Sequence, residues 1–238
     1  MKIVAVIPAR LASTRLNEKL LIKFNGLEMI EHVRRRAILS KAFHNVYVAT
    51  GDERIEKLIK RNKGNVIRTY NKHDNGTSRA AEAVKNIEAS HIVLIQGDEP
   101  LILPRHLQEI VRFISAEPEF DSWNATARLD NESCLDDISQ VKCAINSEGR
   151  ILYCFRRSPS YATKDKQIFY MRKMLGVICY RKEVLLNISN LEQCNIEKLE
   201  SIEQIRMISN NFSIRSIEID DCLPSVNVPK DLDLVLKF

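Results

Sequence analysis

The sequence predicts an α/β protein whose central sheet is mostly parallel in its first half. Short apolar runs with the pattern of buried strands alternate with amphipathic helical segments through about residue 115. This alternation is typical of right-handed βαβ units, whose parallel strands are covered by helices. The second half changes to a hairpin pattern and separate strands, so we expect a mixed sheet.

The first predicted strand leads into a loop that is rich in cations. We predict this strand over residues 2–8, in which residues 3–7 are apolar and mostly β-branched. Pro8 is expected to end the strand because it lacks an N–H. Arg10, Arg15 and Lys19 follow among small and hydroxylated residues, a combination that suits a polyphosphate. A basic, solvated loop is the alternative, and the glycine-rich phosphate-loop motifs are missing from the sequence.

The remaining elements follow from hydrophobic spacing and turn residues. In the first half we predict helices over residues 28–40, 53–62, 78–89 and 104–115, and strands over 45–50, 66–69 and 92–95. In the second half we predict a hairpin of residues 140–146 and 150–155, strands over 173–180 and 213–219, and helices over 197–209 and 229–238. Ligands of parallel sheets bind beyond the carboxyl ends of the strands, so these ends should meet at one crevice.

Composition sets broad limits on function. With 238 residues, 45% of them hydrophobic, the chain can form one large domain or two small ones. A net charge of +5 with both signs interspersed favours small anionic substrates and gives no sign of a nucleic-acid partner. The six cysteines lack metal-ligand spacing and are expected to be reduced core thiols of a cytoplasmic protein; no apolar run is long enough to span a membrane.

Two polar segments carry further candidate ligands. Asp98 follows a buried strand, where a carboxylate facing a cationic loop suits Mg²⁺ on a nucleoside triphosphate; a capping role is the alternative. Residues 73–79 enter a predicted helix, with Thr77 or Ser78 as its N-cap. Arg79 opposes the helix dipole at this end, so we interpret it as a ligand contact.

Motifs distributed over the whole chain occur in a specific order and at specific spacings. They are residues 7–16 with Lys19, 25–30, 48–50, 73–79, 96–100, 149–156, 175–181, 197–206 and 226–231. With this ordered set the chain resembles the 3-deoxy-manno-octulosonate (Kdo) cytidylyltransferases, although any one of the motifs alone would be weak support.

The resemblance implies a fold and a reaction. The fold is a nucleotide-diphospho-sugar transferase-like (Rossmann-like) three-layer α/β fold with a mixed central sheet and an antiparallel hairpin that serves as a dimerisation arm. Residues 1–238 form a single domain, with a nucleotide-binding half over about 1–115 and a sugar-binding and dimerisation half over about 116–238. The homodimer uses CTP, an acidic Kdo-like sugar and Mg²⁺ to make the CMP-sugar and pyrophosphate, in the cytoplasm, for lipopolysaccharide biosynthesis.

The resemblance also implies roles for individual residues. The catalytic and phosphate-binding positions are Arg10, Arg15, Lys19 and Asp98. The nucleoside-recognition positions are Asn75, Thr77, Arg79 and Gln96. The sugar-side positions are Arg156, Glu203 and Gln204, and the Mg²⁺ ligands are Asp98 and Asn227.

Some positions depart from the pattern of this family. Asn227 stands where the family has its second metal-binding aspartate, and an amide keeps a carbonyl oxygen but loses the charge. On the sugar side, Met174 replaces a histidine, and Cys154 and Phe155 replace a Phe-Ser pair. Three alternatives stay open: a Kdo enzyme, an enzyme for another acidic sugar such as an amino-Kdo, and a non-catalytic nucleotide-binding homologue.

Overall fold

The computed structural model describes residues 1–12, 16–220, 224–226 and 229–236. The described strands are β1 (Ile3–Ala9), β2 (Lys23–Phe24), β3 (Leu27–Glu28), β4 (Asn45–Thr50), β5 (Asn65–Arg68), β6 (His91–Ile95), β7 (Ser122–Ala127), β8 (Lys142–Ile145), β9 (Ile151–Phe155), β10 (Met171–Arg181) and β11 (Ile214–Glu218). The described α-helices are α1 (Met29–Leu39), α2 (Glu53–Arg61), α3 (Gly76–Val84), α4 (Pro104–Ala116), α5 (Lys164–Gln167), α6 (Lys182–Asn190), α7 (Asn195–Glu200), α8 (Gln204–Ser209) and α9 (Pro229–Val235).

Within the described residues, one mixed sheet of nine strands runs through both halves of the chain. Its main path has the order β11-β7-β10-β6-β1-β4-β5, and the β8–β9 hairpin joins it through β8 and β10. Strands β6, β1, β4 and β5 are parallel, as predicted, whereas β10 is antiparallel to β6, β7 and β8. The mixed α/β sheet predicted from the sequence is therefore confirmed.

Helices cover both faces of this sheet and make three layers. In β1, Ile3, Ala5 and Ile7 face one core cluster, while Val4 and Val6 face the other. The first cluster includes apolar residues of α1, α2, α4 and α9, and the second includes those of α3, α6 and α8. A strand buried on both faces explains the unbroken apolar run at the start of the sequence.

Pro8 does not end the first strand, contrary to the prediction. Strand β1 continues through Ala9 and stays paired with β4, where Pro8 lies opposite Ala49. Pairing of β1 with β6 stops earlier, at Val6 opposite Leu94. Since one side of β1 is no longer paired beyond Val6, the missing N–H of Pro8 is tolerated there.

Two helices differ from the predicted boundaries. Helix α3 begins at Gly76 instead of residue 78, and its N-cap is Asn75, whose Oδ1 accepts a hydrogen bond of 2.8 Å from the Ser78 N–H. The predicted N-caps Thr77 and Ser78 are therefore wrong. The single helix predicted over residues 197–209 is two helices, α7 and α8, because Ser201 between them is left-handed with φ of 54°.

The buried thiols agree with the prediction of reduced core cysteines. The cysteines within the described residues are free, and Cys143, Cys154 and Cys179 among them are buried; Cys222 lies outside these residues. Of the helices that the structure describes, none combines the length and apolarity needed to cross a lipid bilayer.

Candidate active site

A cleft of about 1190 Å³ opens beyond the carboxyl ends of β1 and β6. One wall comes from the loop after β1, the start of α3 and the turn after β6, and it carries Arg10, Lys19 and Arg79. The facing wall is formed by Asp137, by residues 139–141 and by the α7–α8 region, with Glu203 and Gln204. The strand ends thus converge on one crevice with a cationic wall and a largely polar wall.

Lys19 and Asp98 form the closest charge pair of the cationic wall. The Lys19 ammonium donates to Asp98 Oδ2 at 2.5 Å and to the carbonyl oxygen of Val226 at 3.2 Å. The Val226 N–H in turn donates to the Asp98 carbonyl at 2.9 Å. Three distant parts of the chain are therefore joined at the end of β6. Arg15 and Asn227 lie outside the described residues.

Arg10 and Arg79 approach the cleft from two sides of the 73–79 segment. Arg10 is exposed, and its Nη1 donates to the carbonyls of His73 and Asp74 at 3.4 and 3.1 Å. Arg79 is buried and donates to Thr69 Oγ1 at 2.5 Å. Burial and the nearby charge of Arg10 lower the pKa of Arg79. Because the positive charge of Arg10 acts on Arg79, an anion near both cations would be favoured.

Thr77 connects the start of α3 with the facing wall. Its N–H donates to Glu203 Oε2 at 3.3 Å, and its hydroxyl also donates to this oxygen. Burial raises the pKa of Glu203, whereas the hydrogen bonds from Thr77 lower it. Asn75 and Glu203 are among the described residues that line the cleft, whereas Thr77 is not. Thr77 is therefore placed to hold Glu203 instead of contacting a ligand.

Gln96 and Glu99 meet β10 at a bulge. The register between β10 and β7 shifts between Met174 and Ile178, and Gly176 lies in this interval. The Gln96 N–H donates to the Gly176 carbonyl at 2.7 Å, and the Gly176 N–H donates to Glu99 Oε1 at 2.9 Å. Burial, together with the adjacent carboxylate of Asp98, raises the pKa of Glu99 to about 7.

Arg156 and Gln204 are built into the facing wall. The Arg156 guanidinium donates to the carbonyls of Glu200 at 2.8 Å, Ile138 at 2.9 Å and Ser201 at 3.3 Å. Gln204 donates to Asn124 Oδ1 at 3.1 Å. Both side chains also line the cleft, so each combines a position at its surface with contacts that fix the wall.

Comparison with known proteins identifies the family. A family profile described as cytidylyltransferase matches residues 4–217. The 3-deoxy-manno-octulosonate cytidylyltransferase of Geotalea daltonii is 34% identical over an alignment of 248 residues that covers 100% of this chain and 98% of the relative. The chain belongs to the 3-deoxy-manno-octulosonate cytidylyltransferase family. The protein of the same name from Escherichia coli is also 34% identical, with 98% of this chain and 94% of the relative covered.

A solved structure supports the same membership of the 3-deoxy-manno-octulosonate cytidylyltransferase family. CMP:2-keto-3-deoxy-manno-octonic acid synthetase complexed with CTP matches with a TM-score of 0.92 at 33% identity, and the match covers 100% of this chain and 98% of that one. The resemblance inferred from the ordered motifs is thereby confirmed.

The structure brings together most of the positions that the family resemblance implies. The cleft is lined by Arg10, Lys19, Asn75, Arg79, Gln96, Asp98, Arg156, Glu203 and Gln204. Sequence reasoning missed Glu99 as a residue of the site, although its place directly after Asp98 was a usable signal. It also missed residues 137–141, which carry no recognisable motif and enter the wall only through tertiary contacts.

Proposed function

We propose that this protein transfers the cytidylyl group of CTP to Kdo. A hydroxyl of the sugar attacks the α-phosphorus, the bond between the α- and β-phosphates breaks, and pyrophosphate leaves. The observation that carries this proposal is the cleft itself, in which the cationic wall of a cytidylyltransferase faces a separate polar wall. Such a reaction needs positioning and charge neutralisation and no covalent enzyme intermediate.

The two walls divide the substrates between them. On the cationic wall, Arg10 and Lys19 bind phosphate oxygens. The family resemblance gives Arg15 the same role. Asn75, Arg79 and Gln96 lie on the same side of the cleft and face the nucleoside. On the other wall, Glu203, Gln204 and Arg156 face the acidic sugar, and the arrangement of their hydrogen bonds supports a fixed binding surface.

Asp98 is suited to bind Mg²⁺. Its carboxylate already balances one cation, since the Lys19 ammonium lies 2.5 Å from Oδ2. Across the part of the chain that the structure describes, His, Cys, Asp and Glu form no group of three that could bind a metal. Mg²⁺ commonly takes one or two protein carboxylates and completes its shell with phosphate oxygens and water, so Asp98 with a triphosphate fits. Asn227 would add a carbonyl oxygen, and the bound ion would neutralise phosphate charge.

A homodimer in the cytoplasm completes the proposal. Strand β9 of the hairpin exposes the side chains of Leu152 and Tyr153. Large hydrophobic residues exposed on this hairpin support its role as the dimerisation arm. Light scattering coupled to size-exclusion chromatography should give twice the chain mass of 27.4 kDa, and Leu152→Asp should shift the protein towards the monomer.

Met174 supports a second candidate, transfer to a different acidic sugar. Its side chain lines the cleft at the β10 bulge. The Kdo cytidylyltransferases have a histidine at this position. An apolar side chain in its place favours a sugar that differs from Kdo in the group next to residue 174.

The test is pyrophosphate release from CTP with Mg²⁺ and Kdo, beside ATP, GTP and UTP. Release that requires both CTP and Kdo, and that stops with EDTA, supports the first candidate and the metal. Release with another acidic sugar, such as an amino-Kdo, and none with Kdo would favour the second. Binding of CTP without release for any sugar at saturating Mg²⁺ would refute catalysis and indicate a nucleotide-binding homologue.

A further inference from the structure

Lys142 is a lysine without any solvent exposure, close behind the sugar-side wall. It lies in β8, and the side chain is completely buried. Its ammonium donates to the carbonyl of Asp137 at 2.6 Å, to that of Gln140 at 3.0 Å and to that of Arg156. Three acceptors require the three hydrogens of a protonated lysine. A buried charge of this kind is costly unless it is fully hydrogen-bonded, which these contacts achieve.

Two of the three carbonyls that Lys142 binds, those of Asp137 and Gln140, belong to the wall loop, which we define as residues 137–141. Two more carbonyls of this loop are also bound: Ile138 accepts from Arg156 at 2.9 Å, and Val141 accepts from the Met174 N–H at 2.9 Å. The loop is therefore fixed through its backbone.

Four of the five residues of the wall loop also line the cleft. Asp137, Ser139, Gln140 and Val141 line it, while Lys142 is not among the described residues that do. The Asp137 carboxylate accepts from the Ser139 hydroxyl at 2.6 Å and from Gln140 Nε2 at 2.9 Å, so these polar groups are also oriented within the loop.

Arg156 connects Lys142 to the second part of the sugar-side wall. The Lys142 ammonium binds the Arg156 carbonyl, and the Arg156 guanidinium binds the carbonyls of Glu200 and Ser201 at the α7–α8 junction. Glu203 and Gln204, which also line the cleft, follow directly after this junction. One ammonium thus lies at the centre of a network that joins both parts of the sugar-side wall.

We propose that Lys142 is a positioning residue for the acceptor sugar: by fixing the wall loop and Arg156 it sets the affinity for the sugar without touching it. This inference rests on the proposed function, since the acceptor must occupy the wall that faces the cationic one. CTP binding depends on the opposite wall and should be independent of Lys142.

The test compares Lys142→Met with Lys182→Met. Methionine matches the lysine side chain as far as Cε and removes the ammonium with its donors. Lys182 is the matched control because its ammonium also binds backbone carbonyls, those of Lys85 at 3.1 Å and Ile87 at 2.6 Å, outside the residues that line the cleft. Loss of a positioning contact should raise the KM for the sugar at least about tenfold in Lys142→Met, with the KM for CTP changed less than about twofold. Lys182→Met should leave both unchanged.

Other outcomes would contradict either the role of Lys142 or the proposed function. Equal changes of both KM values, or the same change in Lys182→Met, would overturn the role of Lys142. If Lys142→Met does not fold, Lys142→Gln returns two N–H donors to the site and allows the same comparison. Failure of both Lys142 variants to fold, while Lys182→Met folds, would assign Lys142 to stability alone. Absence of turnover by the unaltered protein with every sugar would instead refute the proposed function.

Discussion

Thr77 and Glu203 lie 126 positions apart in the chain, and a single carboxylate oxygen of Glu203 accepts from both the backbone N–H and the hydroxyl of Thr77. The N–H belongs to the first turn of α3, where helices lack internal acceptors. Glu203 therefore completes the hydrogen bonding of a helix on the nucleotide side from the opposite wall. The pair joins the two walls of the cleft directly.

This direct contact predicts coupled, non-additive stability effects. Thr77→Val should lower the free energy of unfolding by about 1–3 kcal/mol, because a partly buried carboxylate loses a donor. The double variant with Glu203→Gln should differ from the sum of the single changes by at least about 0.5 kcal/mol. Urea unfolding measures all three.

Thr126→Val provides the control for that cycle. Its hydroxyl lies 2.7 Å from the Ser216 hydroxyl and shares no hydrogen bond with Glu203 among the described residues. Thr126→Val and Glu203→Gln should be additive. Additive behaviour of the Thr77 pair as well would contradict the coupling.

Lys19→Ala should abolish most of the transfer activity. The variant loses a cation at the phosphate side and leaves Asp98 without its ammonium partner at 2.5 Å. We expect kcat to fall at least about 10²-fold, as for the loss of a charge contact in the transition state. Lys23→Ala is the control, because the Lys23 side chain is 63% exposed. The transfer activity of this variant should stay near that of the unaltered protein. A small loss in Lys19→Ala would remove Lys19 from the proposed machinery.

Gly176→Ala should impair catalysis through the backbone. An added Cβ would lie 2.6 Å from Glu99 Oε1 and 2.8 Å from Gln96 Cβ, so the β10 bulge and the end of β6 must separate. Such crowding should cost about 1–3 kcal/mol of stability, and because Asp98 lies on the displaced turn, kcat/KM should also fall.

Gly64→Ala separates these two effects. Its added Cβ would lie 2.6 Å from Ile59 Cγ2, a similar clash among residues that do not line the cleft. It should destabilise the fold and leave the kinetics of the folded protein unchanged. Equal kinetic losses in both alanine variants would show that crowding at Gly176 has no specific effect on the site.

His91 should make stability depend on pH. It begins β6, its Nε2 is buried without a hydrogen-bond partner in the described structure, and burial, followed by the charges of Arg181 and the N-terminus, lowers its pKa from 6.5. Glu183 acts in the opposite direction. The unfolded chain therefore binds the proton more readily, and stability is lost as pH falls below about 6.5, at no more than about 1.4 kcal/mol per pH unit.

The variant His91→Phe removes this titration. Urea unfolding of both proteins at about pH 7.5 and about pH 5.5 should show a larger loss for the unaltered protein than for the variant, because other titrating groups contribute equally to both. Equal losses would show that His91 binds a proton as easily in the folded protein as in the unfolded chain.

Strands β1 and β6 were predictable because they are buried on both faces and need no alternation. β4 has the predicted bounds, and β6 differs by one residue. The prediction missed β7, which is completely buried although Ser122, Asn124 and Thr126 alternate along it. These polar side chains find partners in Met207, Gln204 and Ser216, which lie at least 80 positions away in sequence, so local hydropathy could not reveal the strand.

The candidate site shows the same limit. Motif positions such as Lys19 and Asp98 could be named from the sequence because their chemistry is visible in the residue type. Their pairing, the contact with Val226 and the engagement of Thr77 by Glu203 depend on tertiary geometry. Lys142 gave no signal at all, since a lysine in a hairpin strand is usually exposed, and only the three carbonyls around it give it a different role.

The contacts of Val226 have a consequence for the order in which the enzyme matures. Strands β1, β4, β5 and β6 lie within the first 95 residues and can pair while the ribosome is still making the rest of the chain. The Lys19–Asp98 corner, however, receives its bonds to Val226 only after that residue has been synthesised. A nascent chain can therefore assemble its parallel strands early and still have an unfinished Lys19–Asp98 corner. If this corner is catalytic, as we propose, the onset of folding is separate from the onset of activity.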